Sequence, residues 1–198
     1  MNSLTESLSD QPERNRAERR RASMDEITRE AGICELLASP LLQTLEYVQE
    51  FPRPRAEVFR FFEDAFNLNA ITPAMLRFRI LTARPIEMRA GARIEYALRV
   101  RGIPIRWLTR IEVYDAPRRF VDRQLRGPYR LWWHEHEFEE IEGGTRMTDR
   151  VRYITPLAGR WAGRLLHDHW IRPDLERIFA YRRDTLAAML GTMAGESV

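Results

Sequence analysis

The sequence predicts an α+β domain in which a curved, seven-stranded antiparallel sheet grips a long C-terminal helix. Three observations predict it. Apolar residues alternate with polar ones through most of residues 78–154, the period of half-buried strands. Gly- and Pro-containing turns cut that stretch into segments. Leu175, Ile178, Phe179, Leu186 and Met189 then recur at helical spacing, with Glu176, Arg177, Arg183 and Asp184 off the stripe.

The elements follow in order. Residues 1–22 are polar and of mixed charge and read as a disordered or frayed tail. Residues 23–40 form a helical extension with Ile27, Ile33, Leu36 and Leu37 as its apolar positions, and the single Cys34 among them reads as a small buried or half-buried residue. The domain spans 41–192, with a short tail at 193–198. Leu41 to Phe51 reads as a first strand, stopped by Pro52 and Pro54. Arg55 to Phe66 reads as a helix, with Val58, Phe59, Phe62 and Phe66 on one face, and a short turn follows over Asn67 to Ile71.

Strands follow around Phe78 and Ile80, at Arg93 to Arg101 and at Ile105 to Val113, the last two joined through Gly102 to Pro104. Three more cover Phe120 to Arg126, Tyr129 to Ile141 and Thr145 to Ile154, with Gly127-Pro128 and Gly143-Gly144 as turns. Leu157 to Trp170 begins the helical end, and Pro173 either kinks it or starts a second helix. Such a helix, about 25 Å long, cannot cover six or seven long strands flatly. The sheet must curl around it, which leaves room for a cavity.

Composition narrows the function classes. Hydrophobic residues make up 44% and charged residues 31% of the chain, as in soluble domains. No apolar run approaches the roughly 20 residues of a membrane span, and no secretory h-region is visible. A cytoplasmic protein without stable membrane insertion is expected. All 32 basic residues are arginine, yet the net charge is only +3 and acids interleave with them. A nucleic-acid footprint would need a one-signed patch, so no nucleic-acid partner is expected.

The alternation also says which side chains face inward. Glu135, Glu137 and Glu139 want water, so Trp132, His134, His136 and Phe138 face the core. By the same rule Asp149 sits inward with Met147, Val151 and Tyr153, and Thr109 with Trp107 and Ile111. Symmetric pairing about Gly143-Gly144 puts His136 opposite Val151, His134 opposite Tyr153 and Asp149 opposite Phe138, so Asp149 lies diagonal to His136.

Buried histidines and an aspartate need partners. Four readings follow. They form a hydrogen-bond network that orders the wall. They orient a carbonyl, phenol or quinone oxygen of a bound ligand. His134 or His136 is a general acid/base poised by Asp149. Or His-x-His binds zinc, which needs a third ligand from Asp149 or Asp122; that spacing alone is a weak signal, and neither a metal nor a cofactor is expected from it. Tyr96, Trp107, Trp132 and Tyr153 supply aromatic surface, as plain core or as the wall for a ring. His167, His169 and Arg182 are further polar residues near the helix, Arg182 at a position that is otherwise apolar.

Several motifs carry a resemblance: Gly102-Ile103-Pro104 with Trp107, Phe120 to Gln124 with Gly127-Pro128-Tyr129, the Trp132/His134/His136/Phe138 strand, Gly144-Thr145 with Asp149 and Tyr153, and Ile178 to Arg182. Over about residues 41–190 the chain resembles the START-like (SRPBCC) helix-grip superfamily, in its polyketide cyclase/dehydrase and lipid-transport, coenzyme-Q-binding-like branch. The resemblance implies a β-α-α-β6-α helix-grip fold and places Asp122 and Gln124 at the cavity. It transfers no nucleophile or base.

The expected site therefore comprises Tyr96, Trp107, Thr109, Asp122, Gln124, Trp132, His134, His136, Asp149 and Tyr153, with His134, His136 and Asp149 as the acid/base candidates. The leading expectation is binding or transport of a hydrophobic small molecule (lipid, quinone or polyketide-like). The alternatives are a cyclase/aromatase- or dehydratase-like enzyme, and an interaction module whose cavity has collapsed well below the roughly 300 Å³ of typical ligand sites.

Overall fold

The computed structural model describes residues 31–193. The expected tail over 1–22, the first part of the helical extension and all but the first residue of the C-terminal tail lie outside them. Residues 31–37 are helical (α1) and end in a turn where Ser39 Oγ accepts from Leu41 N at 3.2 Å. Cys34 is exposed, not buried or half-buried as its apolar neighbours suggest.

The second unit starts at Gln43. Its strands are β1 (Gln43–Phe51), β2 (Arg79–Ile80), β3 (Arg93–Val100), β4 (Ile103–Asp115), β5 (Arg119–Arg126), β6 (Leu131–Ile141) and β7 (Gly144–Ile154). They form one curved antiparallel sheet in the order β1-β7-β6-β5-β4-β3-β2. Helix α2 (Arg55–Glu63) follows β1; it ends three residues earlier than the sequence pattern suggested, and a 3₁₀ turn at Ala65–Asn69 takes over. Asp64 starts that turn by accepting from Phe66 N at 2.9 Å, the local competition by which Asp side chains end helices.

The β3–β4 hairpin closes on Arg101 and Gly102, at φ 50° and 83°. Positive φ at both central residues matches strand twist in a two-residue hairpin, and Pro104 falls inside β4, paired with Arg99. The Arg101 guanidinium then reaches Asp174 through two bonds of 2.8 and 3.0 Å, tying the hairpin to the start of the last helix.

The C-terminal helix is continuous from Trp161 to Leu190, as α3 (Trp161–Leu166), a π-helical turn (His167–Ile171) and α4 (Arg172–Leu190). The π turn absorbs the missing N–H of Pro173 at the start of α4, so no break is needed. The inward stripe of α4 is Leu175, Phe179, Arg182, Leu186 and Leu190. Met189, expected on it, is exposed and Leu190 takes its place.

Two apolar clusters fill the space between helix and sheet. One joins Phe51, Val58, Phe59, Phe120, Phe138 and Leu186. The other joins Leu45, Trp107, Trp132, Val151, Leu175 and Phe179. In sequence order, a polar residue sits between the members of the two clusters on each element: Arg182 between Phe179 and Leu186, His134 and His136 between Trp132 and Phe138, Asp149 between Met147 and Val151. A polar layer therefore crosses the core.

Candidate functional site

Three neighbouring strands build that layer. β6 carries His134 and His136 two residues apart, so both imidazoles stand on the concave face. β5 sets Asp122 opposite His134. β7 sets Asp149 opposite His136 and Val151 opposite His134. The sequence-based pairing is displaced by two residues, because the turn is Glu142-Gly143, flanked by the Ile141–Gly144 pair, rather than Gly143-Gly144. A shift of two leaves every side chain on its face, so the inward assignment stands: His134, His136 and Asp149 are all 5–6% exposed.

The contacts are reciprocal. His134 Nε2 donates to Asp149 Oδ1, and its Nδ1 lies 3.3 Å from Asp122 Oδ2. His136 places Nε2 at 3.4 Å from the same Asp122 oxygen and Nδ1 at 3.3 Å from Asp149 Oδ1. From α4, Arg182 Nη1 donates to Asp149 Oδ2 at 3.4 Å. Two carboxylates, two imidazoles and one guanidinium thus share one largely buried site. Phe120 stacks on His136 with ring centroids 4.3 Å apart, which fixes that ring.

Burial would push the His134 imidazole down, but the charges of Asp149 and Asp122 outweigh it and hold it at about 9. For His136, burial and the neighbouring His134 charge prevail over both carboxylates and push it below its ordinary value. Burial would raise both acids. The His134 charge, with both imidazoles close by, instead brings Asp122 down to about 2. Asp149 is lowered as well, by His134 first and then His136 and Arg182. At neutral pH the layer holds charged His134 and Arg182 against two carboxylates, with His136 neutral.

A cavity of about 200 Å³ opens on one side of this layer. Of the expected site residues, Tyr96, Trp107, Thr109, Asp122, Trp132, His134 and His136 line it. The Thr109 hydroxyl accepts from Trp107 Nε1 at 3.1 Å and bonds the Tyr96 hydroxyl at 3.1 Å, so these polar atoms already serve one another. The polar groups that remain on the sheet-and-helix wall are those of Asp122, the two histidines and Arg182.

Three expected residues do not line the cavity. Asp149 stands behind the histidines. Gln124 folds back on its own turn, donating to Tyr129 O at 2.6 Å and accepting from Tyr129 N at 3.2 Å. It occupies the space beside Gly127, where an added Cβ would collide with its side chain. Tyr153 is fully buried and bonds His167 Nε2 through its hydroxyl at 2.9 Å; His167 in turn meets Asp168 at 2.7 Å, while His169 is exposed.

The sequence reading missed the far wall. Phe61, Phe62, Leu68 and Ile71, from α2 and the turn after it, face the sheet across the cavity, and Tyr129 packs on both Trp107 and Trp132. Phe62, placed by helical spacing on one face of α2 with Val58 and Phe59, was the available signal.

A curved seven-stranded antiparallel sheet around a 30-residue C-terminal helix, with a cavity in the concave face, is a helix-grip fold. Solved structures share it. The chain is similar to protein CV1439 from Chromobacterium violaceum, with a TM-score of 0.58 and 13% identity over 76% of this chain and 98% of that one. It is similar to TTHA0849 from Thermus thermophilus at 0.56 and 17%, over 74% and 99% of the two chains. It is also similar to protein Ms6760 from Mycobacterium smegmatis at 0.54 and 19%, over 74% and 90%. Likeness at this identity establishes the fold and not the activity. No protein-family model matches the sequence, and no curated protein does.

Proposed function

We propose that the protein binds a small, mostly apolar molecule bearing an oxygen, and that it is a START-like (SRPBCC) ligand-binding protein. The observation that carries this is a polar group, Asp122, His134 and His136 with Arg182, opening into a cavity lined mostly by aromatic and aliphatic side chains. Apolar walls supply affinity and a few convergent polar groups fix orientation.

The volume narrows the ligand. About 200 Å³ is under the roughly 300 Å³ at the lower end of drug-sized sites, but a cavity of roughly 150 Å³ in another protein holds benzene. One or two substituted rings suit the space; a long acyl or isoprenoid chain does not. The Arg182 guanidinium, which lines the cavity and keeps a buried Nε–H without a hydrogen-bond partner among the described residues, favours a carbonyl, phenol or quinone oxygen as acceptor.

Native mass spectrometry of protein purified from its host tests this through a co-purified small molecule. Fluorescence titration with phenols and quinones, read through Trp107 and Trp132 with chelator present, tests it directly. Saturable quenching in the native chain that is lost when Leu98→Trp fills the cavity supports the reading. Equal quenching in both proteins overturns it.

One observation favours an enzyme as the second reading: His136 is held neutral beside the cavity, the state a general base needs. An aromatase/cyclase- or dehydratase-like protein would lose turnover in His136→Ala before it lost affinity. A carrier would keep most of its affinity and have no turnover to lose.

A further inference from the structure

Asp122, His134 and His136 are spaced as three ligands rather than as hydrogen-bond partners. The Asp122 Oδ2 atom stands 3.3 Å from His134 Nδ1 and 3.4 Å from His136 Nε2, and the donor atoms of the three residues lie within 4.8 Å of one another. Charge-assisted N–H···O bonds are shorter, roughly 2.7–2.9 Å. Tetrahedral ligands each about 2.0–2.1 Å from a zinc ion stand about 3.4 Å apart. The two Asp122 separations therefore match an ion's coordination edge better than a direct bond.

The opposite side of each imidazole points the same way. His134 Nε2 donates to Asp149 Oδ1, and His136 Nδ1, a buried nitrogen without a hydrogen-bond partner, faces that same oxygen at 3.3 Å. Arg182 steadies Asp149 from behind. Metal-bound histidines commonly hand their second nitrogen to such a carboxylate, which sets tautomer and orientation. Counting both histidines as neutral ligands, the carboxylates of buried Asp149 and partly buried Asp122 face a single guanidinium, which leaves a negative site.

We propose that Asp122, His134 and His136 bind one divalent transition-metal ion, with Asp149 as the outer carboxylate. Two imidazoles and a carboxylate suit Zn²⁺, Fe²⁺ or Co²⁺ over Ca²⁺ or Cu⁺. The three ligands line the cavity and Asp149 does not, so the open coordination position points into it. A ligand oxygen completing that position rests on the binding reading above; the ion itself does not.

The test uses the full chain, stripped with chelator and dialysed, and Co²⁺ and Zn²⁺ as probes. One equivalent of Co²⁺ is expected to give visible d–d bands, displaced by Zn²⁺, with calorimetry showing the same stoichiometry. Asp122→Ala and His136→Ala each abolish this. Asp149→Asn weakens it about 10- to 100-fold. Cys34→Ser and His167→Ala, which remove other donors, leave it unchanged. The wild-type titration alone decides the matter if a variant fails to fold. Absence of Co²⁺ and Zn²⁺ binding up to millimolar concentration overturns the proposal, as does binding that survives Asp122→Ala and His136→Ala. Because the phenol and quinone titration is run in chelator, its failure is separate from failure here.

Discussion

Asp149→Asn isolates what holds the polar layer together. The substitution keeps the shape of the side chain but removes its charge and turns one acceptor oxygen into a donor. That donor must face either the His134 Nε2–H or the Arg182 guanidinium, both of which donate to Asp149 in the native chain. Asp149 is 5% exposed, so water cannot replace it. Breaking a buried ion pair on one side costs about 3–5 kcal/mol, against about 5–15 kcal/mol for a whole domain.

Urea unfolding with chelator present measures this as a lower midpoint at unchanged slope. A double-mutant cycle with Arg182→Met sharpens it. With Asp149 already gone, losing Arg182 removes a repelled charge and costs less than in the native chain, by about 1 kcal/mol or more. A loss under about 1 kcal/mol for Asp149→Asn, or strict additivity in the cycle, would refute the account of a coupled buried network.

Stability in chelator depends on pH at both ends. His134 is held at about 9, above its unfolded value of about 6.5, so its contribution is full below that value. It is lost as pH rises toward 9, and His134→Gln flattens that slope. Asp122 is held at about 2, so its contribution is full above about 3.8 and is lost as pH falls through 2; urea midpoints across pH read both. Gly163→Ala drives a Cβ into the Leu157 carbonyl oxygen; backbone cannot yield as a side chain can, and a loss of more than about 2 kcal/mol by thermal unfolding is expected. Tyr153→Phe leaves His167 Nε2 buried without its partner and costs about 1–3 kcal/mol in urea unfolding, with no change in ligand affinity because Tyr153 lies outside the cavity wall. Leu98→Trp keeps the fold by circular dichroism and abolishes ring binding in the fluorescence titration.

The fold was legible because its signals are local. Alternation names the inward residues of β3, β4, β6 and β7 without knowledge of any partner strand, and the stripe from Leu175 to Leu186 names the gripped helix. What failed was non-local or depended on one atom. Asp122 meets His134 through the β5–β6 register, and β5 is joined to its other neighbour by a ladder with bulges, so no turn length predicts it. Gln124 shares a face with Asp122 in sequence, yet turns aside because Gly127 lacks a Cβ. Pro173 looked like a break, and the π turn before it made it a continuation. Arg182 stood out as the one charge on an apolar stripe, and its partner became visible only once α4 lay over β7.

The spelling of β6 has a consequence for how this chain can change over time. Histidines and glutamates occupy adjacent positions from His134 to Glu137, and the hairpin into β7 is closed by only two residues. A one-residue slip of β6 against both neighbouring strands would send both imidazoles outward and bring Glu135 and Glu137 to the concave face. A slip of two would return every group to its side, but opposite new partners. The chemistry of the cavity therefore rests on the register that β5 and β7 impose together on β6, and the surface turn is free to change length as long as those ladders hold.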